Sequence, residues 1–342
     1  MGMGKRVTRP TIVDVACAAR VHPSTVSRVL NARSDVSLRA ETRERVRSAA
    51  ERLGYRPSAL ARSLRLRRTL TLGMLVPDIA NPFFPQIIKG AEEVAHENDY
   101  TLVLCNTADL PEREATYLRV LREREVDGLL VASTRMTDAT IDALRDEGFP
   151  FVLVNRSSGG ADLAVTVDDR GAAARMVDHL VDQGHRRIAH IAGPQNTTTG
   201  LGRAQGTREA LRRRGLGGTV VEADAWSELA GYRAARKLFE TERPRAIFGA
   251  NDLIALGAMR AARELGLRVP EDVAFAGFND IPAAALVGLT TTLVPQKEMG
   301  AAAARLLIAC LRSERIAKRH VVLPTSLVVR GSSAASLAAE IA

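Results

Sequence analysis

The outer face of a short predicted helix carries side chains that can bind a polyanion. In the stretch PSTVSRVL, residues 23–30, Val26, Val29 and Leu30 recur at helical spacing and form an inner face. Small hydroxyls can donate to phosphate oxygens, and an arginine can pair with a base edge in a major groove. These properties predict nucleic-acid contacts on the outer face, which carries Pro23, Ser24, Thr25, Ser27, Arg28 and Asn31.

Two more predicted helices position this face. Thr11 and Asp14 have the spacing of a capping box, which starts a helix whose apolar side consists of Ile12, Val15, Ala16 and Ala19. Pro23 suits the first turn of the second helix. A third helix, with Val46, Ala49, Ala50 and Leu53 on one side, ends at Gly54, a natural C-cap. The pattern fits a helix-turn-helix, and a plain helical hairpin on a solvated surface is the alternative.

Charge discriminates between these alternatives. Residues 1–68 contain sixteen Lys and Arg against five Asp and Glu, a net charge of +11. The whole chain carries +9, so the remaining residues sum to −2. A cationic segment of this kind indicates a polyanionic partner and binding that weakens with salt.

Three segments in this order are similar to a known family. VxxSTVSRVLN, then TRERV, then LGYRPSALARSLR resemble the DNA-binding headpiece of LacI-type bacterial transcription regulators, and the likeness continues along the chain. One departure is that residues 34–41 form a turn about two residues longer than the family's. The resemblance implies a dimer on a palindromic double-stranded operator, with Thr11 and Tyr55 also on the DNA side.

The segment PSALARSLR, residues 57–65, is only about two turns of helix and is marginal alone in water. From the residues it could be a simple linker. The resemblance implies a hinge helix that pairs near Leu60 with its copy in a second subunit. Leu64 would then wedge into the minor groove and kink the duplex, Arg62 and Arg65 would face phosphate, and Ala61 would also contact DNA.

Length and composition limit the possible classes of protein and its location. With 342 residues and 46% hydrophobic content, the chain exceeds one ordinary domain and can bury a core. Cys17, Cys105 and Cys310 are far apart in sequence and each is predicted to be a reduced core thiol. We find no signal peptide and no membrane span, which predicts a cytoplasmic protein without membrane contact.

From residue 70 onward, apolar runs alternate with helical stretches, and the alternation restarts near residue 187. This pattern predicts an all-α helix-turn-helix head followed by α/β structure, two doubly wound parallel-sheet subdomains. The resemblance adds the periplasmic-binding-protein type and a return crossing near Leu289. The predicted domains are 1–56 for DNA binding, 57–69 for the hinge, and 70–342 for effector binding and dimerisation, the latter divided into an N-subdomain (about 70–157 and 296–326) and a C-subdomain (about 158–292).

Polar and aromatic side chains follow the predicted strands. Ligands of doubly wound folds lie beyond the carboxyl ends of the strands, and amides, carboxylates, arginines and flat rings suit a polyhydroxylated ligand. Some of these residues could instead cap helices, Asp252 and Asp280 above all. The candidates for effector binding are Asp78, Asn81, Phe83, Phe84, Asn155, Arg156, Thr197, Thr199, Arg203, Trp226, Asn251, Asn279, Asp280 and Gln296.

The resemblance implies that these candidates form a sugar-type effector cleft between the subdomains. Trp226 and Phe84 would stack on a ring, and Arg203 would clamp hydroxyls or a carboxylate. The C-terminal tail has too few apolar positions for a tetramerisation helix, so a homodimer is expected. We expect the ligand to shift an equilibrium between two arrangements of the dimer, and release from DNA by ligand is the preferred sign.

Enzymatic alternatives find little support. GLGRAQG, residues 200–206, lacks the GxGxxG spacing, and His185 and His190 have no apparent third metal ligand. We therefore expect no enzyme activity, no cofactor and no metal. Two classes remain, a ligand-controlled DNA-binding repressor and a solute-binding receptor without a DNA role. The basic N-terminal segment and the absence of a signal peptide favour the repressor.

Overall fold

The computed structural model describes residues 10–30, 38–55, 68–158 and 160–334. The chain divides after Thr69 into two units, and each is described by itself. We call residues 10–55 of the first unit, as far as they are described, the head, and the second unit, which begins at Leu70, the core.

The head consists of three helices, α1 (Ile12–Ala19), α2 (Pro23–Leu30) and α3 (Ala40–Leu53). The predicted capping box is confirmed, because the Thr11 hydroxyl accepts from the Asp14 amide and the Asp14 carboxylate accepts from the Thr11 amide. The predicted end of α3 is also confirmed, since Gly54 is its C-cap with φ +64°. Local signals therefore fix where these short helices start and stop.

The three helices enclose one small apolar cluster: Val15, Ala16, Ala19, Val26, Val29, Val46, Ala49 and Ala50. The Arg45 side chain ties α3 to α1 by donating from Nε to the carbonyl of Ala19 at 2.9 Å. Two predictions for this unit are wrong. Leu53 is 39% exposed rather than internal. Cys17 is exposed, because the inner side of α1 consists of Val15, Ala16 and Ala19.

The core alternates strands and helices along the chain. Its strands are β1 (Thr71–Val76), β2 (Thr101–Asn106), β3 (Gly128–Val131), β4 (Phe151–Val154), β5 (Ala164–Val167), β6 (Ile188–Ala192), β7 (Gly218–Glu222), β8 (Ala246–Gly249), β9 (Ala274–Ala276), β10 (Thr291–Leu293), β11 (His320–Leu323) and β12 (Ser326–Val328). Its helices are α4 (Phe84–Glu97), α5 (Pro111–Glu123), α6 (Ala139–Asp146), α7 (Asp169–Asp182), α8 (Thr198–Arg213), α9 (Glu228–Thr241), α10 (Asp252–Glu264), α11 (Pro282–Leu286) and α12 (Gln296–Leu311).

Two parallel sheets form the centres of two subdomains. The N-subdomain sheet has the order β11-β5-β4-β3-β1-β2, and the C-subdomain sheet has the order β7-β6-β8-β9. In both sheets the strand order reverses beside the first strand of the round, β1 or β6, as in doubly wound folds. The predicted fold class is confirmed. β10 and β12 add a separate antiparallel ribbon.

The predicted boundary between the subdomains after residue 157 is wrong. β5 pairs with β4 and β11, so residues 164–167 still belong to the N-subdomain sheet, and the chain crosses over only after Val167. The short stretch AVTV was not recognised as a strand, because Thr166 interrupts its apolar residues and Asp168 follows directly. The return crossing predicted near Leu289 agrees with β10, which precedes α12 of the N-subdomain.

The N-subdomain also depends on a close helix pair, α4 and α12. A Cβ atom added to Gly300 would lie 1.8 Å from the carbonyl oxygen of Ile87, and one added to Gly90 would lie 1.9 Å from that of Lys297. The two glycines therefore allow the backbones to approach where any side chain would prevent it. Within the described residues, no helix is both long enough and apolar enough to span a membrane.

Candidate functional site

The outer face of α2 is polar and accessible. Val26 and Val29 are buried, whereas Ser24 and Arg28 are exposed and Pro23, Thr25 and Ser27 are partly exposed. His22 was not among the predicted residues, but its ring Nδ1 accepts from the Ser24 amide at 3.2 Å and lies 2.8 Å from the Ser24 hydroxyl. It thereby supplies the N-terminal cap of the helix that carries Arg28.

The other predicted DNA-contacting residues divide into two groups. Thr11 is exposed and caps α1, and Tyr55 is half-buried against the head's apolar cluster. The positions of Asn31, Ala61, Arg62 and Leu64, together with the predicted hinge segment, lie outside the described residues.

A cavity of about 400 Å³ lies between the two subdomains of the core. Its lining comes from segments that follow the carboxyl ends of β1, β2, β4, β7, β8 and β9, from the first turn of α4 and from the first two turns of α8. Eleven of the fourteen predicted effector residues line it: Asp78, Asn81, Phe83, Phe84, Asn155, Arg156, Thr199, Arg203, Trp226, Asn251 and Asn279. Because the carboxyl ends of parallel strands meet at one edge of a sheet, residues that are far apart in the sequence lie together here.

Four buried polar atoms on this lining have no hydrogen-bond partner. Two are donors, Arg156 Nε and Trp226 Nε1, and two are acceptors, Asn155 Oδ1 and Asn279 Oδ1. Leaving such an atom buried and unpaired costs about 1–3 kcal/mol. Since all four lie on one cavity, a ligand with both donors and acceptors would remove these costs together.

Both of these asparagines also have unusual backbone conformations. Asn155 has φ +67° and Asn279 has φ +120°. Such conformations are strained for a residue with a side chain and are concentrated at binding sites, where surrounding structure maintains them. Gln296 stabilises the backbone conformation of Asn279, because its Nε2 donates to the carbonyl of Asn279 at 2.8 Å.

Arg203 is already neutralised within the protein. Its Nε donates to the Asp169 carboxylate at 2.7 Å, and its Nη1 donates to the carbonyl of Ala250 at 2.7 Å. The guanidinium lies over the Phe278 ring, 3.7 Å from the centroid. Burial raises the pKa of Asp169, although the charge of Arg203 opposes that rise. Arg203 therefore offers its remaining donors to the cavity without an unbalanced charge.

Arg156 is held differently, with side-chain exposure of only 4%. Its Nη1 lies 3.5 Å from the Asp109 carboxylate and donates to the carbonyl of Ser133 at 3.4 Å. Burial lowers the pKa of Arg156, and Asp109 opposes that effect. Asp109 is partly exposed and lines the cavity, so the charge of Arg156 is also balanced locally.

Three predicted residues do not line the cavity. Thr197 caps α8, because its hydroxyl accepts from the Gly200 amide and donates to the Pro194 carbonyl. Asp280 forms an ion pair with Arg330 at 2.8 Å. Gln296 supports Asn279 from behind. Thr197 and Gln296 thus support lining residues of the cavity, and Asp280 fixes the turn beside Asn279.

The predicted helix caps at Asp252 and Asp280 are wrong. Asn251 caps α10, with its side-chain oxygen accepting from the Ile254 amide at 2.8 Å. Asp252 instead accepts from the Thr291 hydroxyl at 2.5 Å and from the Ile281 amide at 2.8 Å. Burial raises the pKa of Asp252 to about 7. This carboxyl therefore joins three segments of the C-subdomain.

Sequence reasoning missed five lining residues: Pro77, Ala108, Asp109, Ala225 and Ser227. Asp109 follows β2, so the rule that found Asn155 could also have found it. Ser227 caps α9 by accepting from the Ala230 amide. Pro77, Ala108 and Ala225 carry no polar signal and could be located only from the fold.

Together, the head and the cavity define a class of protein, a DNA-binding regulator whose core has the form of a ligand receptor. Residues 11–58 match the family described as bacterial regulatory proteins, lacI family, and residues 177–333 match a periplasmic binding protein-like domain. The chain is 37% identical to the ribose operon repressor of Halalkalibacterium halodurans over 323 residues, which cover 94% of this chain and 96% of the relative. The chain therefore belongs to the lacI family of transcriptional regulators.

Solved structures agree with this assignment. The lac repressor dimer bound to operator and the anti-inducer ONPF has a TM-score of 0.86 at 28% identity, covering 96% of this chain and all of that one. The complex of the transcriptional regulator CelR with cellobiose has a TM-score of 0.72 at 34% identity, covering 95% of this chain and all of that one. The likeness therefore extends over the head and the core.

Proposed function

We propose that this protein is a repressor that binds a palindromic operator through its head and responds to a small sugar bound in the core cavity. The relatives' names support this, since one controls a ribose operon and another is bound to cellobiose. The protein would act in the cytoplasm, where its operator is, and would bind and release partners without catalysing a reaction. We propose that the sugar releases the operator.

The proposal that the ligand is a sugar rests on the four polar atoms without a hydrogen-bond partner that belong to residues of one cavity. Two donors and two acceptors match hydroxyl groups, since each hydroxyl both donates and accepts. The aromatic surfaces of Phe84 and Trp226 suit the apolar face of a sugar ring, and Phe83 lies beside Phe84 on the lining. Because Arg203 and Arg156 each have a carboxylate partner, we propose a neutral sugar rather than a sugar acid.

We also propose that the active form is a homodimer, by analogy with the lac repressor, which binds its operator as a dimer. β2 is an edge strand of the N-subdomain sheet, and Val103 and Leu104 on it are 39% and 41% exposed. An apolar edge strand is a template for association unless something covers it. A second copy of the chain would cover this edge, and twofold symmetry would match inverted half-sites.

The test has two stages. Selection of bound sequences from a random DNA pool should return a palindromic site. Neutral sugars, beginning with D-ribose and cellobiose, are then screened for a change in fluorescence of Trp226, the single tryptophan, and for release of that site. A protein that ignores all DNA at low ionic strength would contradict the repressor role.

A matched variant tests the cavity itself. Asn155→Gly removes the unpartnered acceptor and suits the backbone φ of +67°, which a larger side chain would strain. Loss of one neutral hydrogen bond should weaken binding of the active sugar about 3–10-fold. Asn98→Gly, on the C-cap of α4 away from the cavity lining, is the control and should leave sugar affinity unchanged.

A further inference from the structure

One loop of the N-subdomain contacts the C-subdomain beside the cavity. We call residues 132–138, between β3 and α6, the latch loop. The Met136 amide donates to the carbonyl of Asn196, in the loop that leads from β6 to α8, at 2.9 Å. This bond joins the two subdomains, so the position of the latch loop helps to set how the subdomains are arranged around the cavity.

A buried carboxyl from another element supports the latch loop. Glu114, on α5, has a side chain only 1% exposed. Its Oε1 accepts from the Ser133 hydroxyl at 2.9 Å, and its Oε2 lies 3.7 Å from Nη1 of Arg135. Ser133 is itself fully buried. Glu114 therefore helps to fix the positions of Ser133 and Arg135 in the first half of the loop.

The same loop segment also contacts residues of the cavity lining. Arg135 donates to the carbonyl of Asp109, and the carbonyl of Ser133 accepts from Arg156. Asp109 and Arg156 both line the cavity. A movement of Ser133 and Arg135 would thus change both the cavity lining and the bond from Met136 across to the C-subdomain.

Glu114 occupies surroundings that disfavour its charge. Burial is the largest cause, and the nearby carboxylate of Asp138 adds to it, so the pKa of Glu114 rises from 4.5 to about 7. Asp109 acts in the same direction, whereas Ser133 and Arg135 oppose it. With the loop in place the carboxyl keeps its proton up to about pH 7, whereas a solvated carboxyl loses it near pH 4.5.

We propose that Glu114 is a positioning residue for cleft closure: the latch loop packs on its neutral carboxyl, and ionisation of that carboxyl releases the loop. Between pH 4.5 and 7 the closed form binds more protons, so raising the pH through this range favours the open form. The inference rests on the proposed function, in which closure of the cleft around a ligand has a regulatory role. Its test needs no sugar and no DNA, so the two proposals can fail separately.

Hydrogen–deuterium exchange of a peptide covering the latch loop tests this proposal in the full-length protein. Labelling at pH 5.5 and pH 8 is corrected for the intrinsic exchange rates. In the unmodified protein, protection should fall on the order of tenfold at the higher pH. Glu114→Gln, which is neutral at every pH and retains an acceptor for Ser133, should stay protected at both. A residue with only a structural role would not increase protection at pH 8 when replaced.

Two further variants sharpen the result. Asp252→Asn removes a second buried carboxyl with a pKa of about 7, which lies in the C-subdomain, and should leave the pH response of the latch loop unchanged. Ser133→Ala removes a hydroxyl that stabilises the carboxylate, so in a series of labelling experiments between pH 5.5 and pH 8 the midpoint of the response should move to higher pH. Protection independent of pH in the unmodified protein, a normal response in Glu114→Gln, or an unmoved midpoint in Ser133→Ala would overturn the proposal.

Discussion

Arg28 is the exposed side chain on α2 best suited to distinguish bases. A guanidinium can donate two hydrogen bonds to the edge of a guanine, whereas the neighbouring hydroxyls are better suited to phosphate contacts, which carry no sequence information. Arg28→Ala should therefore relax the base preference at one position of each half-site by about 1–3 kcal/mol. Affinities for operators substituted at each position measure the effect.

An exposed arginine on another helix provides the control for charge. Arg52→Ala, on α3, removes the same charge and should leave the base preference unchanged. If Arg28→Ala weakens binding to all operators by one common factor, Arg28 contacts only phosphate and does not contact a base.

His190 gives the core a pH dependence that does not involve the cavity. It is fully buried in β6, its Nδ1 donates to the carbonyl of Phe248 at 2.8 Å, and burial lowers its pKa from 6.5 to about 4. The unfolded chain takes up this proton below pH 6.5, whereas the folded chain does so only near pH 4. The free energy of unfolding should therefore fall by up to about 3 kcal/mol between pH 6.5 and pH 4 from this residue.

Urea unfolding at several pH values measures that contribution. His190→Gln keeps a donor for Phe248 but cannot be protonated, so its stability should decline less on acidification than that of the unmodified protein. Equal declines in the two proteins would mean that His190 is protonated in the fold as easily as in the unfolded chain.

At the scale of single residues, the sequence predicted positions better than roles. Asn155 and Arg156 were found because polar residues after parallel strands meet at one edge of the sheet. That rule selects the end of a strand but not the direction of a side chain. Thr197 and Gln296 therefore turn away from the cavity to support its lining, and Asp252 turns inward while Asn251 caps the helix.

At the scale of elements, uninterrupted apolar runs and clear caps were predictable, and strands that contain polar residues were not. β1, β4 and β8 appear in the sequence as uninterrupted apolar runs because both faces of their sheets are covered. β5 is no shorter than β4 or β8, but it contains a threonine, and β10 and β12 have three residues each and also contain threonine or serine. Their formation depends on partners far along the chain, which no local pattern reveals.

The contact between α4 and α12 permits a sharp test at this scale. Gly300→Ala would normally favour a helix slightly, but here the new Cβ meets the Ile87 carbonyl at 1.8 Å. The helices must separate, so we expect a loss of at least about 1–3 kcal/mol in the free energy of unfolding. Chemical denaturation measures this loss.

Gly217→Ala is the matched control for that substitution. No atom lies within 4 Å of a Cβ added there. Its effect on stability should stay within about 0.5 kcal/mol. Similar stabilities for the two variants would show that α4 and α12 can separate at little cost.

At the scale of the whole molecule, charge and binding capacity are divided between the two units. The first 68 residues carry +11 and the remainder −2, so attraction to DNA belongs to the N-terminal unit, whereas the cavity belongs to the core. Neither unit alone provides regulation. The proposed function therefore requires a free energy of coupling between the two binding events.

Such coupling is reciprocal, which gives the strictest test of the proposed repressor. If a saturating sugar weakens operator binding by some factor, saturating operator must weaken sugar binding by the same factor, because both describe one thermodynamic cycle. We expect a factor of about 5–150, equivalent to 1–3 kcal/mol. Operator affinity is measured with and without the sugar, and sugar affinity, through Trp226 fluorescence, with and without operator. Operator affinity that is identical with the cavity filled and empty would mean that the core binds sugar without controlling the head.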